Sequence, residues 1–296
     1  MQIRNAVIGM NQRNIELIAG YNAKSDYKFA DDKYLAKQIL ESNDVACPRT
    51  YAIIETIGEI DQVWQTVKEW NQVVVKPARG SGGKGIMILK RKGDQWYEGK
   101  KPIGEAHIFQ HLANVIFGIY SFGDTDVALI EEYVRPHEFF AEIYPAGVPD
   151  FRVILLNRIP LMAMLRVPTA RSNGKANLHQ GGLGIGIDID HGLLRNAYDG
   201  KKHLTHHPDS SSLILGKEIP HWDELMSLSV KTSMHFPLNF LGVDLVLDQH
   251  KGPMVMEVNA RPGLGIQLAN QEGLKEAIVK RAPQLTNLFR NNQITA

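Results

Sequence analysis

The sequence lacks several of the features that most quickly assign a protein to a class. Cys47 is the single cysteine, so the chain forms no internal disulfide and no cysteine-based metal site. No uncharged apolar run is long enough to span a bilayer, and the first twenty residues lack the compact apolar core of a secretion signal. The net charge of +1 favours neither nucleic acid nor an anionic membrane as a partner. We therefore expect a cytoplasmic protein whose function depends on local sites.

The composition is that of a folded globular chain. Its 296 residues are 44% hydrophobic and 22% charged, which is enough to bury one large domain or two modest ones.

A glycine-rich stretch, Val73 to Lys90, is the most informative part of the sequence. Apolar runs on both sides predict strand, loop and strand. Four loop glycines allow positive φ and a close approach of backbone N–H groups to phosphate oxygens. They are Gly80, Gly82, Gly83 and Gly85. Lys76 and Lys84 add positive charge beside them.

Three well-known phosphate loops do not fit this stretch. A Rossmann turn should open a helix and be followed by an acidic residue about 20 positions on, whereas a strand follows here. A Walker A loop needs Ser or Thr after its lysine, and Gly85 has that place. The kinase motifs H-R-D and D-F-G are absent from the sequence. A nucleotide-covering hairpin and an ordinary glycine-rich hairpin both remain open on the loop alone.

Periodicity predicts most of the remaining elements. Asp31 and Asp32 stand before a helix whose first turn contains Lys33, a cation that the helix dipole disfavours. The predicted helices are 33–42, 60–70, 105–119, 221–236 and 274–288. The predicted extended segments are 45–54, 128–134, 137–144, 153–156, 160–167, 240–248 and 253–259. Residues 1–30 are too weakly periodic for a prediction, 173–186 are expected to be a loop, and 187–220 an insertion.

Oxygen-bearing side chains cluster in the last predicted hairpin. Glu257 and Asn259 share one strand face, and Asp244 lies among apolar neighbours, where an unpaired carboxylate is costly. This set suits Mg²⁺, which leaves coordination positions for phosphate oxygens. The alternative is a group of strand-end polar residues that backbone groups satisfy.

Two histidine groups could suggest other metals. His107 and His111 are four residues apart on a predicted helix but have no third ligand nearby, so an ordinary helix surface is favoured. The group His203, His206, His207 and Asp209 matches no common zinc spacing.

Taken in order, six motifs between Asp31 and Leu268 resemble the ATP-grasp superfamily, and within it the RimK-type glutamate ligases. They include DK before VACPRTY, VVVKPARGSGGKGI, LIEEYV, AMLRVP, KANLHQGG, and GVD with MEVNARPG. Around the HHPD letters the chain is also similar to the sugar-transfer-associated ATP-grasp group. The resemblance implies an α+β, ATP-grasp fold in which two α/β subdomains grip ATP between antiparallel sheets. The expected divisions are a short N-terminal segment at 1–30, an N-lobe at 31–134 and a C-lobe at 135–296.

The resemblance also implies roles for individual residues. The nucleotide-binding set would be Lys33, Lys76, Gly80, Ser81, Gly82, Gly83, Glu131, Glu132, Tyr133, Val134 and Glu138. The metal ligands would be Asp244, Glu257 and Asn259, holding one or two Mg²⁺ ions, with Mn²⁺ as an alternative. Arg166 would stabilise charge on the transferring phosphoryl group or the tetrahedral intermediate, and Arg152 and Asn177 would orient substrate.

The implied activity is an ATP-dependent ligation of a carboxylate to an amine through an acylphosphate, releasing ADP and phosphate. Its substrates would be small molecules or peptides, with glutamate or another amino acid added to a peptide or protein acceptor. An ATP-grasp kinase and a partner-dependent ATP-binding regulatory subunit are the alternatives, and a homodimer is a further expectation.

Two departures from the RimK pattern stand out. About thirty residues precede Lys33, where RimK-type ligases have roughly a hundred, the size of a small domain. Arg261 replaces a small residue and could present its planar guanidinium to a carboxylate or phosphate. The RimK substrate is therefore not carried over to this chain.

Overall fold

The computed structural model describes residues 6–80, 82–121, 123–172 and 174–285. The chain divides into two compact units. The smaller unit contains residues 31–38 and 47–134, and the larger unit contains the described residues of 1–30, 39–46 and 135–296.

A six-stranded antiparallel sheet forms the centre of the smaller unit. Its strands are β1 (Thr50–Ile54), β2 (Gln72–Pro77), β3 (Met87–Lys92), β4 (Gln95–Glu98), β5 (Lys101–Ile103) and β6 (Ala128–Glu132). They lie in the order β1-β6-β2-β3-β4-β5. The β2–β3 connection contains the glycine-rich loop, and β6, which precedes Tyr133 and Val134, pairs directly with β2. The predicted strand, loop and strand are confirmed.

Three longer helices contain residues of the smaller unit: α1 (Lys33–Ser42), α2 (Ile60–Val67) and α3 (Glu105–Ile116). The residues of α1 are divided between the two units. It begins where predicted because Asp32 Oδ1 accepts hydrogen bonds from the N–H groups of Tyr34 and Leu35, at 2.9 and 3.2 Å. Helix α3 ends three residues earlier than predicted, close to Gly118 at φ +72°.

Helices α2 and α3 pack their apolar faces against one face of this sheet. The buried cluster includes Trp64, Ile108 and Leu112, together with Val73, Val75 and Leu89 from the strands. Trp64 also donates its indole N–H to Glu105 at 2.9 Å, which satisfies its polar atom. The spacing of apolar residues predicted these helices because their buried faces follow the helical period.

The larger unit has a seven-stranded antiparallel sheet. Its strands are β7 (Asp150–Leu156), β8 (Ile159–Val167), β9 (Leu183–Asp188), β10 (Leu193–Tyr198), β11 (His203–Leu204), β12 (Phe240–Asp248) and β13 (Gly252–Asn259). The order is β11-β10-β9-β8-β7-β12-β13, so β7 and β12 are neighbours. Asn157 and Arg158 join β7 to β8 with φ of +47° and +68°, as a tight two-residue hairpin requires.

Helices of the larger unit surround this sheet. Helix α4 (Trp222–His235) lies near its predicted position, and a shorter helix spans Gly265–Asn270. Helix α5 (Leu274–Arg281) begins where predicted but ends at Arg281, before the predicted end at residue 288. Residues 286–288 of the predicted last helix lie outside the described part of the chain. One buried cluster joins Ile154, Phe240 and Ile278 to the N-terminal residues Ile8 and Leu17.

Residues 10–21, which lack a periodic pattern in the sequence, are helical. They form successive turns at Met10–Gln12, Arg13–Ile18 and Ala19–Tyr21, of which the middle six residues are π-helical. Asn22 fixes the end of this segment, because its side chain donates to the carbonyl of Phe240 at 2.6 Å and accepts from the N–H of Phe240 at 2.9 Å.

Two predictions of local structure are wrong. Residues 137–144, predicted to be extended, contain the short helix Glu138–Ala141, which His137 caps by accepting from the N–H of Phe139. The predicted loop at 173–186 includes the first residues of strand β9, which pairs with β8. The segment 187–220 contains β10 and β11, which extend the large sheet, and its description as an insertion stays a prediction. Within the described residues, no helix combines the length and apolar character needed to cross a membrane.

Candidate functional site

The first predicted lysine lies against the glycine-rich loop. Lys33 Nζ donates to the carbonyl oxygen of Gly80 at 2.6 Å, although 47 residues separate them in sequence. Next to it, Arg79 Nε lies 3.3 Å from Asp32 Oδ2. Ser81, the next residue of the predicted site, lies outside the described residues. Lys33 in the first turn of α1 is thus directed toward the loop. Its contact with the Gly80 carbonyl oxygen offsets the unfavourable position of a cation near the positive end of the helix dipole.

Glycine is required in this loop by its backbone conformation. Gly82, Gly83 and Gly85 have φ of +62°, +70° and +75°, a region in which side chains are strained. A Cβ at Gly85 would also lie 2.6 Å from the ring of Tyr120. The carbonyl of Gly85 contacts His111 Nε2 at 2.9 Å, so the far end of the loop is tied to α3.

The second predicted lysine, Lys76, is buried at the end of β2. Its Nζ lies 2.6 Å from Glu131 Oε2 on the neighbouring strand β6. A second buried ammonium, from Lys37 on α1, lies 3.4 Å from Glu131 Oε1 and donates to the carbonyl of Pro48. Burial raises the pKa of Glu131, but the ammonium groups of Lys76 and Lys37 lower it by more. The pKa of Glu131 is therefore below its ordinary value.

Lys37 is a member of this group that the sequence prediction missed. The signal was present, because Lys37 lies four residues after Lys33 and so shares a helix face with it. The group contains two ammonium ions and one carboxylate, leaving an excess of one positive charge in a buried position. Such an excess suits the neighbourhood of a phosphate.

The other predicted nucleotide contacts follow Glu131 in the chain. Glu132 ends β6 and accepts from the N–H of Arg49 at 3.3 Å. The ring of Tyr133 lies 4.4 Å from Lys90 Nζ, and Val134 is buried. Glu138 belongs to the larger unit, where it is exposed at the start of its short helix.

In the larger unit, strand register brings four charged residues together as two neighbouring cross-strand pairs on one face of the sheet, a group called here the charged row. Arg152 on β7 is paired with Asp244 on β12, and Asp150 on β7 is paired with Arg166 on β8. Because Asp150 and Arg152 are two residues apart, their side chains lie on the same face of the sheet. Glu257 on β13 is opposite Asp244 and extends the row.

Hydrogen bonds lock this row together. Arg152 donates to both carboxylate oxygens of Asp244, from Nε at 2.8 Å and from Nη2 at 2.6 Å. Arg166 Nε donates to Asp150 Oδ1 at 2.6 Å, and its Nη2 donates to Asp150 Oδ2 and also to Asp244 Oδ2, the latter at 2.6 Å. Paired, charge-assisted bonds of this kind fix both the position and the plane of a guanidinium.

The pKa values of the two buried carboxyl groups are shifted in opposite directions. Burial opposes ionisation of Asp244, but Arg152 and Arg166 outweigh it and lower the pKa of Asp244 to about 2. Burial dominates at Asp150 and, despite the charge of Arg166, raises the pKa of that carboxyl group. Asp244 is therefore the ionised anchor of the network, while both aspartates raise the pKa of Arg166 against the effect of burial.

The proposed magnesium ligands fit that role unequally. Glu257 and Asn259 offer oxygen donors on one strand face, as magnesium prefers. Asn259 Nδ2 is buried and finds no acceptor among the described residues. Rotating the amide would place its oxygen there, so this position accommodates an oxygen facing a cation. Both oxygens of Asp244 are already bound by guanidinium groups. The assignment of Asp244, Glu257 and Asn259 as metal ligands stays a prediction.

Asn177 lies in the loop between β8 and β9. Its side-chain oxygen accepts from the N–H of His179 at 3.0 Å, and its carbonyl accepts from the N–H of Gly182 at 3.0 Å. Asn177 therefore shapes a compact turn that begins the short 3-10 helix Leu178–Gln180. Its orientation of substrate stays a prediction.

The structure places histidines of both groups in contact with residues that do not form a metal site. His107 lies 3.3 Å from Glu98, and buried His207 stacks on Tyr144 while its Nε2 lies 3.0 Å from the carbonyl of Pro168. The described part of the chain brings no three His, Cys, Asp or Glu side chains together as metal ligands. His207 instead connects the predicted insertion to the loop that follows β8.

Comparison with known proteins agrees with this architecture. The model of the sugar-transfer associated ATP-grasp family matches residues 12–281. A probable alpha-L-glutamate ligase 2 from Shewanella frigidimarina (strain NCIMB 400) is 44% identical over 57 residues, which is 19% of this chain and 19% of that protein.

Among solved structures, phosphoribosylamine–glycine ligase from Thermotoga maritima is similar with a TM-score of 0.56 and 17% identity, covering 93% of this chain and 58% of that one. D-alanyl-alanine synthetase A from Vibrio cholerae O1 biovar eltor str. N16961 has a TM-score of 0.52 and 12% identity, covering 89% of this chain and 63% of the other. This chain thus matches less than two thirds of the length of each of these relatives. At these identities the likeness establishes the fold: two antiparallel sheets with helices, as predicted.

Proposed function

This chain belongs to the sugar-transfer associated ATP-grasp family, and on that premise we propose that it is an ATP-dependent ligase that joins a carboxylate to an amine. The carboxylate oxygen would attack the γ-phosphorus, breaking its bond to ADP and giving an acylphosphate. The amine nitrogen would then attack the acyl carbon, phosphate would leave with the electrons of the C–O bond, and the amine proton would pass to solvent.

The observation that carries nucleotide binding is the bond from Lys33 Nζ to the Gly80 carbonyl at 2.6 Å. It brings a cation to a loop whose glycines leave the backbone open to a phosphate. Buried Lys76 lies on the strand that leads into the same loop. Positively charged groups fixed around phosphates are the main requirement of phosphoryl transfer, which needs little covalent participation from the protein.

The charged row of the larger unit supports the acyl-transfer step. Arg166 is held by Asp150 and Asp244, so its guanidinium has a fixed orientation and needs no reorganisation to meet developing negative charge. Arg152 is fixed in the same way. Asp244 keeps both cations in place and offsets the cost of burying them.

ATP would supply the phosphoryl group that activates the carboxylate, and Mg²⁺, or Mn²⁺ in its place, would offset the charge of the phosphates. Glu257 and Asn259 would hold the ion through their oxygens, joined by Asp244 if it exchanges a guanidinium contact for the metal. Lys33 and Lys76 would hold phosphate oxygens, with Gly80, Gly82 and Gly83 providing the close approach. Glu131, Glu132, Tyr133, Val134 and Glu138 are proposed to contact the nucleoside.

The test is phosphate release from Mg-ATP in the presence of carboxylates and amines, supplied singly and in pairs. Hydroxylamine in place of the amine traps an acylphosphate as a hydroxamate. The expected result is hydroxamate that requires ATP and one carboxylate, and is lost in Glu257→Ala and Asp244→Ala. Asp223→Asn is a matched control, because it removes an exposed carboxylate from the same unit.

Other outcomes would contradict a ligase in defined ways. A stable phosphorylated product without amide or hydroxamate would indicate a kinase. ATP binding without turnover, with peptide acceptors and candidate partners added, would indicate a partner-dependent regulatory subunit. Glutamate, peptides and protein-borne acceptors belong in the panel, because the motifs do not distinguish among them.

A further inference from the structure

Two arginines from distant parts of the sequence meet at one turn of the larger unit. Arg13 lies in the N-terminal helical segment, and its Nη1 donates to the carbonyl oxygen of Pro262 at 3.0 Å. Arg261 immediately precedes Pro262, and its guanidinium lies 5.1 Å from the ring centre of Tyr27. The turn, residues 261–263, is separated by Ala260 from the strand that ends with Asn259.

The hydrogen-bond acceptors that the guanidinium of Arg13 contacts are uncharged. Its Nε and Nη2 donate to the side-chain oxygen of Asn14, at 3.1 and 2.8 Å, and its third partner is the Pro262 carbonyl. Partial burial, and after it the positive charge of Arg261, lower the pKa of Arg13. Two like charges near one another repel, and the repulsion is relieved when an anion binds near both.

The same turn borders two further basic side chains. A Cβ placed on Gly263 would lie 3.9 Å from Arg152 Nη1 and 4.0 Å from His179 Nε2. The absence of a side chain at Gly263 therefore leaves the space beside both nitrogens open. Arg152 uses its other two nitrogens for Asp244, so Nη1 is the one directed toward this space.

We propose that the turn 261–263, with Arg13, forms a subsite for an anionic group, carboxylate or phosphate, carried by a substrate in addition to its reacting group. The inference rests on the proposed ligase function and specifies its substrate class. Guanidinium groups suit either anion because their planar forks donate two parallel hydrogen bonds to its oxygens. A neutral substrate leaves the repulsion between the two guanidinium groups in place, so the subsite selects against it.

Arg13 is the specificity-determining residue in this arrangement. Arg261 belongs to the motif that resembles the family, but Arg13 comes from a segment without a periodic pattern. Asn22 and the apolar residues Ile8 and Leu17 secure that segment on the larger unit. Its fixed position makes Arg13 a preorganised part of the subsite.

The experiment measures binding of paired probes by titration calorimetry, with a non-hydrolysable ATP analogue and Mg²⁺ present. L-Glutamate is compared with L-glutamine, and O-phospho-L-serine with L-serine, so that each pair differs chiefly in one anionic group. The proteins are the full chain, Arg13→Gln, Arg261→Gln and the control Arg195→Gln. Arg195 is an exposed arginine of the same unit that pairs with Asp188.

We expect the full chain to bind the anionic member of at least one pair about tenfold or more tightly than its neutral partner. That preference should fall about tenfold in Arg13→Gln and Arg261→Gln, in keeping with the loss of one charge-assisted hydrogen bond, and persist in Arg195→Gln. The pair that shows the preference distinguishes carboxylate from phosphate.

Folding of the variants is checked by thermal unfolding. The substitution Arg13→Gln keeps a side-chain N–H donor for the Pro262 carbonyl, so the variant should fold. If Arg13→Gln does not fold, the comparison of the full chain with Arg261→Gln is sufficient for the test. Arg261 is exposed, so its substitution should not prevent folding.

A preference that survives both substitutions would overturn the subsite, as would equal binding, or no binding, of both members of each pair. Phosphate release from Mg-ATP by the full chain is recorded separately. Ligase activity with no anion preference rejects the subsite and keeps the function. An anion preference in a protein that never turns over ATP rejects the function and keeps the subsite.

Discussion

Lys76 and Glu131 form an ion pair of 2.6 Å between side chains that are only 9% and 3% exposed. The pair joins neighbouring strands of the smaller unit, where Lys76 and Leu129, two residues before Glu131, are paired in the ladder. Lys37 adds a second buried cation to the same carboxylate. The carboxylate is therefore the counterion for two lysines, and we expect both the stability of the protein and the proposed nucleotide binding to depend on it.

Replacing Glu131 with Gln should destabilise the protein strongly. The substitution keeps the shape of the side chain but leaves two buried ammonium groups without their counterion. Loss of one partner from a buried pair typically costs about 3–5 kcal/mol. Urea unfolding should show a lower midpoint. Glu69→Gln, at an exposed position of the same unit, should change the free energy of unfolding by less than about 0.5 kcal/mol. Equal stability of the two variants would contradict the role of Glu131.

Activity should require both the positive charge of Arg166 and the planar shape of its guanidinium group. Arg166→Met removes the cation from Asp150 and Asp244, and turnover should fall roughly 10²- to 10³-fold. Arg166→Lys restores the charge but cannot reproduce the paired bonds to Asp150, so it should recover activity only in part. The rate of ATP-dependent hydroxamate formation measures both effects, with Arg195→Lys as a control. Full activity of Arg166→Lys would show that charge alone suffices.

Alanine substitutions at two glycines of the smaller unit should distinguish the cost of backbone strain from the cost of steric crowding. Gly85 and Gly93 both have positive φ, +75° and +58°, so alanine at either position should cost about 1–2 kcal/mol of strain. A Cβ at Gly93 meets no atom within 4 Å, whereas a Cβ at Gly85 would lie 2.6 Å from Tyr120. Thermal unfolding should therefore show the larger loss for Gly85→Ala.

ATP titration gives a second comparison of these variants. Gly85→Ala should weaken ATP binding because it distorts the loop, and Gly93→Ala should leave binding intact because its turn lies at the far end of β3. Equal effects on both stability and binding would mean that the contact with Tyr120 is unimportant.

His207 should make stability depend on pH below neutrality. Burial, opposed by the hydrogen bond to the Pro168 carbonyl, lowers the pKa of His207. As pH falls below its ordinary value of about 6.5, the unfolded chain binds a proton that the folded chain does not. The free energy of unfolding therefore decreases with falling pH until the lower folded pKa is reached.

The measurement is urea unfolding of the protein, of His207→Gln and of exposed His203→Gln at pH 7.5 and 5.5. The fall in stability between these pH values should be smaller in His207→Gln and unchanged in His203→Gln. An equal fall in all three proteins would assign the pH dependence to other groups.

The spacing of apolar residues predicted those helices and strands whose buried residues recur at the regular helix or strand period. Helix α1 begins where predicted because Asp32 caps it. Strand β12 (Phe240–Asp248) has the predicted bounds because all nine of its residues are buried and apolar side chains lie on both sides of Asp244. The segment 137–144 misled prediction because its aromatic residues favour a strand, whereas the His137 cap and the packing of Phe139 and Phe140 select a helical turn.

The charged groups of the site were harder to predict than its elements. The motifs predicted Asp244, Arg152 and Arg166 as site residues. Their mutual hydrogen bonds depend on strand pairing between residues as many as 92 positions apart. Lys37 shares a helix face with Lys33, but its ion pair with Glu131 joins residues that are far apart in the sequence. Arg13 lay in a segment without apolar periodicity, and its contact with Pro262 spans 249 positions. Such contacts depend on tertiary packing, which local periodicity does not describe.

The pairing of β7 with its neighbours also restricts how the length of the chain can change in related sequences. Inserting or deleting one residue within β7 would turn every subsequent side chain of the strand to the opposite face of the sheet. Arg152 could then no longer meet Asp244. Length variation should therefore be confined to connections such as the one between β11 and α4. The interval from Asp150 to Arg166, closed by a two-residue turn, should keep a constant length.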